Sequence, residues 1–214
     1  MKKIKFFSNF RDEEKWLERM AADGYKLLKQ NTLQTLIYTF APVPPEQVSI
    51  KADYRVFKTQ HDFQDYCSLF EGSGWRHIAG TKNSGNQYFQ RINNNSDEDI
   101  FSDTTSRAER YKRLSNNALT WCFFFVPLIF AGLLTLNLDA FVNPRALWFT
   151  PGLWESEINL MWWRAFLFEM PFAIMRGYAA PFVILISTAS TLLYLFIMVK
   201  SRRIYRMMLN TDAD

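Results

Sequence analysis

Two long stretches without a charged side chain constrain this chain more than anything else in it. They are Ala118 to Leu138, 21 residues, and Gly177 to Val199, 23 residues. At ~1.5 Å per residue, either is long enough as a helix to cross a hydrocarbon layer of ~30 Å. Buried helices of soluble proteins rarely run so far without a charge, so both are read as transmembrane helices. Neither holds an Asp, Glu, His, Lys or Arg, which argues against an ion-coupled transporter. Pro127 and Pro181 read as kinks of the kind membrane helices tolerate. Charge elsewhere is lopsided: residues 1–117 carry 18 of the 25 basic and 15 of the 21 acidic side chains. The mean hydropathy of -0.15 therefore averages two unlike halves.

Orientation follows from the flanks. Arg107, Arg110, Lys112 and Arg113 precede the first span, and Lys200, Arg202 and Arg203 follow the second. The intervening stretch 139–176 has three basic residues against four acidic ones. The positive-inside bias then places both termini in the cytoplasm and residues 139–176 outside. The two basic clusters either hold anionic lipid or do no more than set this topology. Ile158 to Met175 is apolar but carries Arg164, Glu169 and Pro171, and a third span here would put one basic cluster outside. It is read as an interfacial or re-entrant helix, with Trp148, Trp154, Trp162 and Trp163 as interfacial anchors. Arg164 and Glu169 are candidates to pair with each other or with lipid headgroups.

Residues 1–92 contain an internal repeat at an offset of fifty. Lys5-Phe6-Phe7 aligns with Arg55-Val56-Phe57, Asn9-x-x-Asp12 with Thr59-x-x-Asp62, and Trp16 with Tyr66. Met20 aligns with Phe70, Gly24-Tyr25 with Gly74-Trp75, and Tyr38 with Tyr88. Each unit reads as strand, helix, then two strands, closing with Leu36–Phe40 and Gln87–Arg91. Asn9 and Thr59 are N-cap residues by type, and Gly24 and Gly74 sit where a left-handed residue ends a helix. Trp16, Leu17 and Met20 share one helical face, as do Phe63, Tyr66, Cys67 and Phe70, and both faces read as core. The expected fold class is α+β: two βαββ units forming one antiparallel sheet with helices on one face, followed by two transmembrane α-helices. Residues 93–117 read as a linker and basic juxtamembrane helix, and 200–214 as a basic cytoplasmic tail.

No catalytic set is apparent, and the chain is read as a non-enzyme with no cofactor and no metal. His61 and His77 lie in different elements without metal-ligand spacing, and no glycine-rich phosphate loop follows a strand. Asp12, Glu13 and Glu14 occupy a helical first turn, where they complement the helix dipole. Cys67 and Cys122 have no paired spacing, so neither a disulfide framework nor a thiolate zinc site is expected. The net charge of +4 sits mainly beside the apolar segments rather than in a basic stripe, so no nucleic acid is expected as a partner.

Glu14-Lys15-Trp16-Leu17-Glu18-x-Met20-Ala21-x-x-Gly24-Tyr25-x-Leu27 resembles the opening motif of the DUF2812 family. Tyr38-x-Phe40, Asp53-Tyr54-Arg55, Gly74-Trp75, Gln87-Tyr88-Phe89, Ile100-Phe101-Ser102-Asp103 and Glu109-Arg110-Tyr111-Lys112-Arg113 continue it. The resemblance implies a bacterial cell-membrane protein, often encoded beside PadR-like regulators, and it brings no established activity and no catalytic residues. Together these readings lead to two expectations. The first is a membrane-anchored, non-enzymatic sensor or regulatory adaptor whose cytoplasmic domain binds a protein or small ligand. The second is an accessory or immunity-type subunit of a membrane complex such as an exporter. Beyond the lipid bilayer, a protein partner in the membrane or cytoplasm is expected, with oligomeric state left open.

Overall fold

A computed structural model describes residues 1–30, 37–92 and 99–211. The start of the closing strand at Leu36, residues 93–98 of the polar linker and the end of the tail lie outside the described residues. Within them the repeat is realised element by element. β1 (Lys2–Ile4), α1 (Phe10–Ala22), β2 (Tyr25–Gln30) and β3 (Ile37–Pro42) are answered by β4 (Ile50–Arg55), α2 (Gln60–Gly72), β5 (Trp75–Ala79) and β6 (Gly85–Arg91). The caps act as their residue types dictate. The Asn9 side chain accepts from the Arg11 N–H, and Thr59 and Asp62 form a reciprocal capping box. Gly24 and Gly74 take φ of 83° and 84°, a region costly for any residue with a Cβ.

The strands form two antiparallel three-stranded sheets, ordered β1-β3-β2 and β4-β6-β5, rather than one. The ladders also correct the alignment of the closing strands. Leu27 pairs with Phe40 and Lys3 with Tyr38, whereas His77 pairs with Phe89 and Asp53 with Gln87. Tyr38 therefore corresponds to Gln87, not to Tyr88. Because side chains alternate along a strand, that one-residue shift sends Tyr88 to the opposite face of its sheet.

This is why the helices do not share one face. α2 covers one side of the second sheet, where Phe57, Tyr66, Trp75 and Phe89 make a small aromatic core. α1 packs on the first sheet through Trp16, against Tyr38 and Phe40, and on the other side of the second sheet around Tyr88. Covered on both flanks, α1 buries Glu13 and Glu14 along with Phe10, Trp16, Leu17, Met20 and Ala21, whereas α2 fully buries Tyr66 alone.

α3 (Thr104–Leu134) is one helix that contains both the juxtamembrane segment and most of the first apolar run. α5 (Leu160–Thr211) is likewise unbroken. Both are long and apolar enough to cross a membrane. Residues 158–175 do not form a helix of their own: from Leu160 they are the first part of α5, with Pro171 inside it.

Residues 1–118 and 196–214 form one compact unit, and residues 119–195 a second. Inside the second unit the two helices run antiparallel. Tyr194 stacks on Trp121 at 5.9 Å, and a Cβ at Gly132 would lie 2.6 Å from Ile184. Glycine there lets the helices approach closely, as membrane helix pairs commonly do. Between them lie α4 (Asp139–Val142) and a 3-10 turn, Pro144–Leu147.

Candidate functional site

β4 is an edge strand, and its outward-facing backbone groups are taken up by side chains instead of another strand. The Ile50 N–H donates to Glu18 at 3.0 Å and the Ala52 N–H to Glu14 at 3.0 Å, both from α1. The carbonyl of Ala52 accepts from Arg110 at 2.6 Å and that of Tyr54 from Arg113 at 2.7 Å, both from α3. An unpaired edge invites pairing with other chains, and this one is closed.

The same arginines are ion-paired. Arg110 Nη1 lies 2.6 Å from Glu14 Oε1, with side chains only 5% and 7% exposed. Arg113 Nη2 lies 2.6 Å from Asp53 Oδ1, whose other oxygen accepts from the Tyr66 hydroxyl at 2.8 Å. Tyr111, between them, donates to Asn9 at 2.5 Å. The first half of α3 is thus built into the soluble fold, bridging the N-terminus of α1 and the edge of β4.

Next to this clasp is a second buried carboxylate. Glu13 Oε1 accepts from Tyr38 at 2.7 Å and Tyr88 at 2.5 Å, one tyrosine from each sheet. Asn86 donates to Gln30 at 3.0 Å and to Tyr88 at 3.2 Å, which extends the network from β6 to β2. Burial raises the Glu13 pKa to about 7, partly offset by the two hydroxyl donors. Burial and the neighbouring Glu13 charge push both tyrosines above their ordinary range.

Glu13 and Glu14 thus do more than complement a helix dipole. The signal was in the sequence: with Phe10, Leu17 and Ala21 they occupy the i, i+3, i+4, i+7 stripe that a helix turns inward. Carboxylates in that stripe require buried partners.

The basic residues singled out from the sequence divide into two groups. Arg107 pairs with Asp99 at 2.6 Å, and Arg110 and Arg113 are held inside the fold as described. Lys112 lies over the Tyr205 ring, Lys200 donates to Ser8 at 2.5 Å, and Arg202 donates to Ser115 at 3.0 Å. Arg202 and Arg203 remain exposed.

In the second unit the four tryptophans are not equivalent. Trp148 and Trp162 are partly buried and stack on Phe166 at 5.3 and 4.9 Å, and Trp154, more exposed, packs edge-on to Trp148. Trp163 is half exposed. Glu169 pairs with Arg176 at 2.7 Å rather than with Arg164, and accepts from the Phe149 and Thr150 N–H groups and the Thr150 hydroxyl. It ties the loop to α5. Replacing Glu169 by glutamine is expected to free residues 147–150 and make Arg145 cleavable by trypsin in the intact chain. An unchanged digestion pattern would count against this fastening role.

Among the described residues no group of three metal-ligating side chains occurs. His61 is exposed beside Asp65, and His77 is lowered by burial and bonded to Gln87 at 3.0 Å. A groove of about 460 Å³ opens where β2 and β5 approach each other. Leu27, Ile50 and Ile78 line it, with Lys26, Arg76 and Glu46 at the rim.

A family model described as a protein of unknown function, DUF2812, matches residues 9–125. The chain belongs to the DUF2812 family. The DUF2812 match runs from the N-cap of α1 through the rest of the repeat into the apolar part of α3, leaving out β1, and it includes Glu13, Glu14, Asp53, Arg110 and Arg113. Neither the curated proteins nor the solved structures compared with the chain gave a match.

Proposed function

We propose that this DUF2812 protein is a membrane-anchored, non-enzymatic sensor or regulatory adaptor in a bacterial cell membrane, with both termini in the cytoplasm. One observation carries the proposal: α3 is locked into the soluble fold by Arg110–Glu14 and Arg113–Asp53 and continues unbroken into an apolar run. A ligand or protein that shifts the packing around β4 then acts directly on a helix that enters the bilayer. The groove between β2 and β5 offers such a ligand an apolar floor and a mostly basic rim.

The alternative is an accessory or immunity-type subunit of a membrane complex. It is supported by the large apolar side chains, among them Phe123, Phe130, Phe182 and Leu185, exposed on the two helices. Crosslinking and co-purification of the intact chain from native membranes separates the two. A partner or metabolite that is retained by the wild type and lost on filling the groove with Ile78→Trp supports the adaptor. A stoichiometric membrane partner indifferent to that change supports the subunit. Recovery of neither would sink both.

A further inference from the structure

Within the first unit, the clasp fixes how α3 lies along β4. Arg110 meets β4 at Ala52, and Arg113 meets it at Tyr54. α3 therefore advances along β4 toward the strand's C-terminal end. α5 returns beside it, with Arg202 bonded to Ser115 and Lys112 over Tyr205. The last uncharged residue of the second apolar run, Val199, is followed by Lys200, which donates to Ser8. One end of the unit thus adjoins the point where α5 changes from apolar to charged. It carries the connection from β1 to α1, residues 5–9, and that from β4 to α2, residues 56–59. It also carries the turn 80–84, because Gly85 pairs with Arg55.

That end has an unusual surface. Phe6 and Val56, which correspond in the two repeats, are 39% and 53% exposed. Lys5, Arg55 and Lys58 around them are exposed, and Lys82 reaches across to the Lys58 carbonyl. The nearby acids are Asp12, exposed in the first turn of α1, and Asp62, held in the α2 capping box. Exposed apolar side chains among lysines and arginines form the pattern that seats a protein in the headgroup layer of an anionic membrane.

We infer that this end of the soluble unit rests on the bilayer, with Phe6 and Val56 entering the interface and Lys5, Arg55, Lys58 and Lys82 binding anionic lipid headgroups. The occupant is a lipid surface because the surface is continuous with the place where α5 turns from apolar to charged. The inference rests on α3 and α5 crossing the membrane.

The test uses the full chain with Cys67→Ser and Cys122→Ser, reconstituted in nanodiscs and spin-labelled at one introduced cysteine. The probes are Phe6→Cys and Val56→Cys at the proposed surface and Glu46→Cys at the opposite end, with Phe124→Cys in the first apolar run. In discs of equimolar phosphatidylglycerol and phosphatidylcholine, labels at 6 and 56 are expected to collide with a water-soluble nickel complex several-fold less often than the label at 46. Pure phosphatidylcholine, or the triple change Lys5→Glu, Lys58→Glu and Lys82→Glu, should restore the collisions. Labels at 6 and 56 as accessible as that at 46, with the label at 124 deep in lipid, would overturn the inference while leaving the spans intact. Equal protection in pure phosphatidylcholine would overturn the anionic recognition. A label at 124 in contact with water would remove the spans themselves, and the inference with them.

Discussion

Replacing Arg110 by methionine is expected to destabilise the soluble unit by about 3–5 kcal/mol, the usual cost of removing one partner from a buried ion pair. The loss is more than the pair's own attraction. Methionine preserves most of the packing volume, but it leaves Glu14 buried with a single N–H donor from Ala52 and leaves the Ala52 carbonyl without its arginine. Both are groups whose isolation in a dry interior is costly. Changing Glu14 to glutamine at the same time removes the orphaned charge, so the double variant should recover part of the loss rather than add to it. Pulse proteolysis of the intact chain in mild detergent across a urea series measures this. A loss below about 1 kcal/mol would mean that water reaches Glu14 and that the clasp behaves as an ordinary surface pair.

The second large effect is one of pH. Glu13 has an ordinary value of 4.5 and a folded-state value of about 7. The folded chain therefore holds that proton more tightly than the unfolded chain. Its contribution to stability is fully present below pH 4.5, declines as pH rises, and is gone above about 7. The full span corresponds to up to about 3 kcal/mol. The groups facing Glu13 are Tyr38, Tyr88, Glu14 and Arg110, and the tyrosines remain protonated throughout this range. Glu13→Gln keeps an acceptor for both hydroxyls and removes the titration, so its stability should be flat between pH 5 and 8 apart from background. Parallel slopes for wild type and variant would show that Glu13 is not the titrating group. For the wild type, the same range is where, as pH rises, the link between the two sheets changes from a neutral to an ionised carboxyl.

Much of this molecule was legible in advance because local rules dominate there. Asn9 and Thr59 cap their helices and Gly24 and Gly74 end them, since those choices depend on a few neighbouring backbone groups. The two apolar helices followed from length and the absence of charge, and the repeat from recurring spacing. The inward places of Trp16, Leu17 and Met20 followed from helical periodicity.

Tertiary structure decided the rest. A repeat alignment has no access to hydrogen-bond register, so it could not show that β6 is displaced by one residue and turns Tyr88 toward α1. Nor could it show that the strands divide into two sheets around α1, which makes buried anchors of two acids that would otherwise sit in solvent. The basic segment beside the first apolar run is the clearest case. By composition it is a juxtamembrane cluster that holds anionic lipid or sets topology, yet Arg110 and Arg113 close the edge of a strand more than fifty residues away. The two uncharged runs alone were enough to determine that the chain carries helices able to cross a membrane, because hydrocarbon thickness sets a length any sequence can be measured against. Which charges serve the lipid and which serve the fold depended on where the strands pair, and that is a property of the whole chain.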